Sequence, residues 1–269
     1  MASNETPIIC NGFKDAECIE TVMLAQKMGR NIIPSSRSTR SCGLILEYCE
    51  KIGVRPQIGM RVKLAARGGG RWQGSGGYRS KFGLTVAEIL HGLDELKKRG
   101  MQDCFKLLHF HLGSQIPNIR VVKHALNEAA RIYTELHKAG AGLKLLDVGG
   151  GLGVDYDGSQ TNFESSTNYT LEEYANDVVY HIQTRVRRRG VPHPTIVSES
   201  GRAIVAYHSR AGVQRARGVA TSAATECPAL PNAESSSSRS STCATPTTRS
   251  RPGTRSRATT TPSRRSTWR

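Results

Sequence analysis

Short apolar runs and longer amphipathic stretches alternate along residues 7–208. Pro7–Cys10 reads as a strand, and Asp15–Met28 as a helix with Ile19, Val22 and Met23 on one face. Asn31–Ile33 is a second short strand and Gly43–Lys51 a second helix. Gln57–Leu64 alternates as a strand and runs into a glycine-rich loop reaching Gly77. Thr85–Arg99 predicts a helix, with Thr85 and Glu88 spaced as a capping box. Leu107–Leu112, Lys144–Gly149 and Thr195–Glu199 are strand-like, and Arg120–Ala139, Leu171–Arg189 and Gly201–His208 helical. Repeated strand–helix units predict an α/β fold with a parallel sheet, either doubly wound or closed into a barrel. Both architectures set their chemistry at the C-terminal ends of the strands.

Four strand ends carry polar residues suited to chemistry. Gly59–Lys63 places Arg61 and Lys63 on a strand that is otherwise apolar, a pattern equally suited to a solvent-facing edge. In Leu108–Gln115, His109 and His111 share a face at strand periodicity. They could ligate a metal, though no cysteine or carboxylate stands near them in sequence. A flat imidazole there could instead stack on an aromatic cofactor, with Gly113 and Ser114 offering donors to a phosphate. Leu146–Gly153 contains Gly149-Gly150-Gly151 behind Asp147, and Asp155-Tyr156 follow. The triple glycine lacks the Walker lysine and the dinucleotide spacing. Ser198–Arg202 sets Glu199 three residues before Arg202, with Gly201 between them. Taken alone, that pair suits an ordinary salt bridge. Together the four ends describe a stacking imidazole, a phosphate cup and a carboxylate facing a basic ring atom.

Charge is unevenly divided. The chain of 269 residues carries a net charge of +16, which would suggest nucleic acid as a partner. Residues 210–269, however, hold 11 Arg and no Lys against Glu226 and Glu234, so most of the excess lies there. That tail has a single Leu and no Ile, Phe, Tyr or Met, too little apolar surface to offset the entropy of ordering. It reads either as an Arg/Ser-rich arm or as an out-of-frame translation, and arginine without lysine favours the second. Ser35–Cys42 has the same flavour and reads as a local, self-correcting frame slip. The division expected is therefore a barrel domain over 1–209 and a disordered or out-of-frame tail over 210–269. The 7 cysteines show no CxxC spacing, and no apolar run has membrane-spanning length; a reduced, cytoplasmic protein is expected.

The chain resembles the biosynthetic arginine decarboxylases, pyridoxal-phosphate (PLP) enzymes built on an alanine-racemase-like barrel. The resemblance rests on Ile9–Asp15, Arg71-Trp72-Gln73 through Gly77, Ser80–Leu84, Leu107–Pro117, Leu146–Gly158 and Glu199–Arg202. The block from Trp72 to Gly83 is more similar to the arginine-specific branch than to ornithine or diaminopimelate decarboxylases. The fold implied is a partial TIM-type (β/α)8 barrel. The roles implied are His111 stacking on the pyridine ring, and Ser114, Gly149, Gly150, Gly151, Gly201 and Arg202 around the phosphate. Glu199 would pair with the ring nitrogen, and Arg61 would line the hydroxyl side. The run Leu146, Asp147, Val148, Gly149, Gly150, Gly151, Leu152, Gly153, Val154, Asp155 and Tyr156 would contact substrate.

The reaction implied is L-arginine to agmatine and CO₂, in polyamine synthesis, with Mg²⁺ as an associated ion and a homo-oligomer as the assembly. No nucleic acid or membrane partner is expected. A non-catalytic PLP-binding barrel, or a related ornithine or diaminopimelate decarboxylase, is the alternative. The family's Schiff-base lysine is expected upstream of Pro7, neither Lys14 nor Lys63 replaces it by position, and the C-terminal β-domain has no match. The chain by itself is therefore expected to be inactive.

Overall fold

The computed structural model describes residues 5–66 and 80–206. Strands β1 (Ile8–Cys10), β2 (Ile32–Ser36), β3 (Ile58–Arg61), β4 (Phe105–His109), β5 (Leu145–Asp147) and β6 (Thr195–Val197) alternate with helices α1 (Ala16–Lys27), α2 (Thr39–Ile52), α3 (Val86–Lys98), α4 (Ile119–Lys138), α5 (Leu171–Arg189) and α6 (Gly201–Val205). All neighbouring strands are parallel, and their spatial order is their chain order. A doubly wound sheet would reverse its order at a switch point. This one never does, so it winds as part of a (β/α)8 barrel, as the resemblance implied. The curl brings the two outer strands together at one end, where the Asn11 amide, just after β1, donates to Glu199, just after β6.

Helices α1 to α5 each start where the sequence supplies a side chain for the unpaired N–H groups. Thr85 with Glu88 and Thr170 with Glu173 form full capping boxes on α3 and α5. Asp15 caps α1 and Asn118 caps α4. Gly53 and Gly190 close α2 and α5 in the left-handed conformation that glycine adopts without strain.

Strand alternation then sorts the side chains onto two faces. Ile58, Met60, Leu108, Phe110 and Leu146 point outward into one continuous apolar layer under the helices. Ala125, Ala129 and Ala130 let α4 approach that layer closely. The opposite face, at the strand ends, carries Arg61, His109 and Asp147 in adjacent register. Gly59 lies on that face too, where a Cβ would stand 2.6 Å from Leu107 Cδ2 and 3.2 Å from Ser35 Cα, so a larger residue would have to shift Leu107.

Ser35–Cys42 departs from the expected element bounds. β2 continues to Ser36, and α2 begins at Thr39, four positions before the expected Gly43. The cause is local: Ser38 Oγ accepts from the Ser41 amide and Ser41 Oγ from the Ser38 amide, both at 3.3 Å. The backbone of β2 pairs normally, Ser35 opposite Gly59 and Ser36 opposite Met60. The side chains fit less well. A parallel strand covered on both faces usually carries Val or Ile, whereas the Ser35 hydroxyl is buried without a hydrogen-bond partner. The expected loop residues Trp72 and Gln73, and the tail 210–269, lie outside the described residues.

A buried hydroxyl with no partner costs about 1–3 kcal/mol in desolvation. Ser35→Ala is therefore expected to raise unfolding stability by about 1 kcal/mol in urea melts; an unchanged or lowered midpoint would show that the hydroxyl is satisfied.

Candidate functional site

The site is built from the turns that follow β1, β4, β5 and β6. After β6, the Glu199 carboxylate accepts from Asn11 and its amide donates to the Gly149 carbonyl at 2.9 Å, tying the β5 and β6 turns together. Burial pushes the Glu199 carboxyl above the usual range. Asp147 adds to that rise, while His109 and the Asn11 hydrogen bond oppose it.

The glycine turn after β5 is shaped by close approach. Gly149 has φ +68°, and a Cβ on it would lie 2.2 Å from the Phe110 carbonyl oxygen. Gly151 has φ +107° and would clash with Ile116, and a Cβ on Gly153 would clash with Thr167. Gly150 differs: its φ is ordinary, and a Cβ would stand 3.2 Å from His111 Cε1 and 3.1 Å from the Glu199 carbonyl, inside the site itself. A Cβ on Gly201 would meet nothing within 4 Å, which leaves open space beside it.

The loops after β4, β5 and β6 meet at one guanidinium. Arg202 donates to Ser114 Oγ at 2.8 Å and to the Tyr156 hydroxyl at 2.9 Å. Among the residues singled out from sequence, Ser114, Arg202 and the glycines thus share one cup. His111 faces the glycine turn and accepts a hydrogen bond from the Gly150 amide on Nδ1 at 3.2 Å. Its pKa falls to about 4, through burial first and the nearby Arg61 charge second, so the ring is neutral near pH 7. Arg61 stands by the acids. Burial lowers its pKa, and the Glu199 and Asp147 charges counter that. Phe82 lies against both Arg61 and Arg37, 5.9 and 4.5 Å from ring centroid to guanidinium carbon.

The proposed substrate run 146–156 divides in two. Leu146 and Val148 are buried under the helices, Leu152 and Val154 are buried as well, and Asp147 has no exposed surface. Strand alternation sets Leu146 and Val148 into the layer under the helices, while Leu152 and Val154, though buried, line a cleft beside Asp155. Gly150, Gly151, Gly153, Asp155 and Tyr156 retain exposure. A cleft of about 540 Å³ borders Asp155 and Glu173. Both carboxylates are already engaged there, Asp155 by Ser166 and the Gln160 amide, and Glu173 by the Thr170 amide.

Two site residues had no assigned role at the level of sequence. Asn11 stands directly after β1, within Ile9–Asp15, a stretch that carries the resemblance but to which no role was given. His109 was weighed as a metal ligand lacking a carboxylate; the fold supplies two, bringing His109, Asp147 and Glu199 atoms within 4.8 Å of one another. A set of one nitrogen and two oxygens, with His109 and Asp147 buried and only Glu199 exposed, differs from the hydrated oxygen shell that Mg²⁺ takes.

The donor set fits a phosphorylated pyridine. The cup of Ser114, Arg202 and backbone N–H groups suits a phosphate. The second Glu199 oxygen suits a ring N–H, and the neutral His111 imidazole suits the ring face. Lys14 offers no amine to this set: it is buried, donates to the Gly12 carbonyl at 3.2 Å, and has its pKa lowered by that burial.

Two outcomes are expected from these contacts. Gly149→Ala should cost about 2 kcal/mol or more of stability, whereas Gly150→Ala should fold normally and impair only ligand binding; equal melting points would overturn the distinction. The lowered His111 pKa also makes stability pH-dependent. The unfolded ring takes up a proton near pH 6.5 and the folded one only near 4, so stability is full above 6.5 and declines as pH falls to 4. Urea melts at pH 7.5 and 4.5 should show a smaller loss for His111→Gln than for the parent chain; parallel losses would place the effect elsewhere.

Residues 2–206 match the family described as pyridoxal-dependent decarboxylase, pyridoxal binding domain. A biosynthetic arginine decarboxylase of Rhodopirellula baltica is 62% identical over 209 residues, covering 78% of this chain and 31% of that protein. One from Geobacter sp. strain M21 is 50% identical over 206 residues, covering 77% and 32%. Among solved structures, the biosynthetic arginine decarboxylase of Campylobacter jejuni aligns with TM-score 0.64 and 41% identity, over 74% of this chain and 32% of that one. A diaminopimelate decarboxylase of Helicobacter pylori bound to L-lysine aligns with TM-score 0.55 and 25% identity, over 71% and 44%. The chain thus spans about a third of the length of the curated relatives it matches. With the half-barrel, the glycine cup and the matched residues in agreement, the chain belongs to the pyridoxal-dependent decarboxylase family through its pyridoxal binding domain.

Proposed function

We propose that this chain holds pyridoxal phosphate in the cup between Gly149–Gly151, Ser114 and Arg202, as the cofactor-binding part of a decarboxylase acting on L-arginine. The observation that carries the reading is the convergence of three loops on Arg202, with Glu199 held by Asn11 across the same opening. Arginine is favoured as substrate over diaminopimelate by the 62% and 50% identities to arginine decarboxylases, against 25% to the diaminopimelate enzyme.

The bound cofactor would act as the electron sink that lets a carbon–carboxylate bond break with loss of CO₂, leaving agmatine. The chain's own contribution is orientation and charge. Arg202 and Ser114 grip the phosphate as charge-assisted and hydroxyl donors. Glu199 keeps a proton on the ring nitrogen, and the neutral His111 packs on the ring without adding a second positive charge. Arg61 sits on the side of the acids and balances them. An amine to bond the cofactor's aldehyde is not among these residues, so the chain alone is expected to bind the cofactor reversibly and release no agmatine. Assembly into a homo-oligomer belongs to the same proposal, and no residue in it is asked to hold Mg²⁺. Among the described residues no helix is long and apolar enough to cross a membrane.

Titrating the purified chain with PLP by absorbance and fluorescence tests the reading. Saturable binding reversed by dialysis is expected, weakened about tenfold or more by Arg202→Ala, the loss of one charged contact. Arg188→Ala, on the exposed face of α5, should leave it unchanged. Equal affinities for the parent chain and Arg202→Ala would sink the proposed cup.

A further inference from the structure

His109 has no task in the cofactor reading, yet it is the imidazole most firmly enclosed in the site. It ends β4 at 2% exposure, directly beside Asp147 of β5 in register, and Asp147 has no exposed surface at all. Nδ1 of the ring lies 2.8 Å from Asp147 Oδ2, in contact but without an aligned hydrogen bond for either atom. The other oxygen, Oδ1, accepts the Gly149 amide at 2.8 Å. The Glu199 carboxylate completes a group whose atoms all lie within 4.8 Å of one another. One enclosed carboxylate is therefore pressed between an imidazole, the glycine turn and a second carboxylate.

Two carboxylates this close resist being ionised together, and a shared proton is the usual relief. A proton on Glu199 would spoil it as the acceptor for a cationic ring nitrogen. A proton on Asp147 would weaken its hold on the Gly149 amide. A donor beside Asp147 removes both needs, and β4 supplies one. We propose that His109 is a positioning residue: acting through Asp147, it keeps that carboxylate on the Gly149 amide and leaves Glu199 free to accept from the cofactor's ring. The purpose assigned to Glu199 rests on the cofactor reading above; the coupling of the three side chains does not.

The charged and polar groups facing this cluster come from every neighbouring element. Arg61 of β3 is positive, held so against burial by the Glu199 and Asp147 charges, and Tyr174 of α5 has its phenol pushed up by burial first and by the Asp147 charge as well. His111, after β4, is neutral near pH 7, and Asn11, after β1, is an uncharged donor to Glu199. Within that setting Asp147 raises the Glu199 carboxyl and His109 opposes the rise.

The test is the pH titration of the Glu199 side-chain carboxyl by ¹³C NMR in the full chain without cofactor. His109→Leu should move its midpoint up and Asp147→Asn should move it down, each by about half a pH unit or more. His109→Gln, which retains a neutral donor, should fall between the parent and His109→Leu. The Gly149 amide proton should move upfield in Asp147→Asn and stay in place in His109→Gln. A purely structural role for His109 would not drive Glu199 in opposite directions in the two variants. If His109→Leu fails to fold, the His109→Gln and Asp147→Asn titrations still decide. Midpoints within about 0.2 of the parent in both would overturn the proposal. If PLP fails to bind while the midpoints move as expected, the cofactor reading fails and the coupling stands.

Discussion

A carboxylate with no access to water, Asp147 at the end of β5, is the constraint on which the site depends. An isolated buried anion is expensive, and it persists only where donors and counter-charges are fixed around it. Here a glycine amide two residues on donates to it and a histidine one strand away lies in contact with it. Neither can be supplied by a flexible loop. The amide requires the left-handed turn at Gly149, which in turn requires that nothing bulkier stand against the Phe110 carbonyl. The histidine requires the β4–β5 register that pairs His109 with Asp147. Fold and site are thus specified by the same contacts.

Sequential parallel winding explains how one register serves both. Alternate residues of every strand leave the sheet on opposite sides, so the apolar set under the helices and the polar set at the opening are interleaved along the same few residues. Leu108 lies in the core and His109 in the site; Leu146 lies in the core and Asp147 in the site. A slip of one position would bury the chemistry under α4 and expose the core. The curl matters as much as the register, because Asn11 reaches Glu199 only when the first and last described strands approach at one end.

Much of this was legible locally. α5 has the bounds read from the sequence, Leu171–Arg189, and the capping box of α3 stands as read. The strands were recognisable by position: β2 runs on to Ser36, past its expected end, while the others are shorter than predicted, β4 ending at His109 rather than Leu112. What local pattern could not supply was partnership at a distance. Asn11 and Glu199 are 188 residues apart, and no motif joins them. His109 lacked a carboxylate only along the chain; in space β5 and the β6 turn provide two. The start of α2 was missed for the opposite reason. Composition marked Ser35–Cys42 as foreign, while helix initiation needs only a side-chain acceptor at the right spacing, and Ser38 and Ser41 meet that need.

The electrostatic order of the opening follows from these distances. Arg202 gives the cup a positive charge, while Glu199 and Asp147 form an acidic pair close enough to Arg61 to influence it. An anionic group entering at Arg202 and Ser114 and a cationic ring nitrogen arriving at Glu199 would each meet the charge that favours it, and a ligand turned end for end would meet both wrongly. A neutral His111 between the two regions keeps that contrast, since a charged imidazole would extend the positive region toward Glu199. The lowered pKa of His111, caused by burial first and the Arg61 charge second, keeps that ring neutral near pH 7, so under the proposed reading it would not blur this contrast.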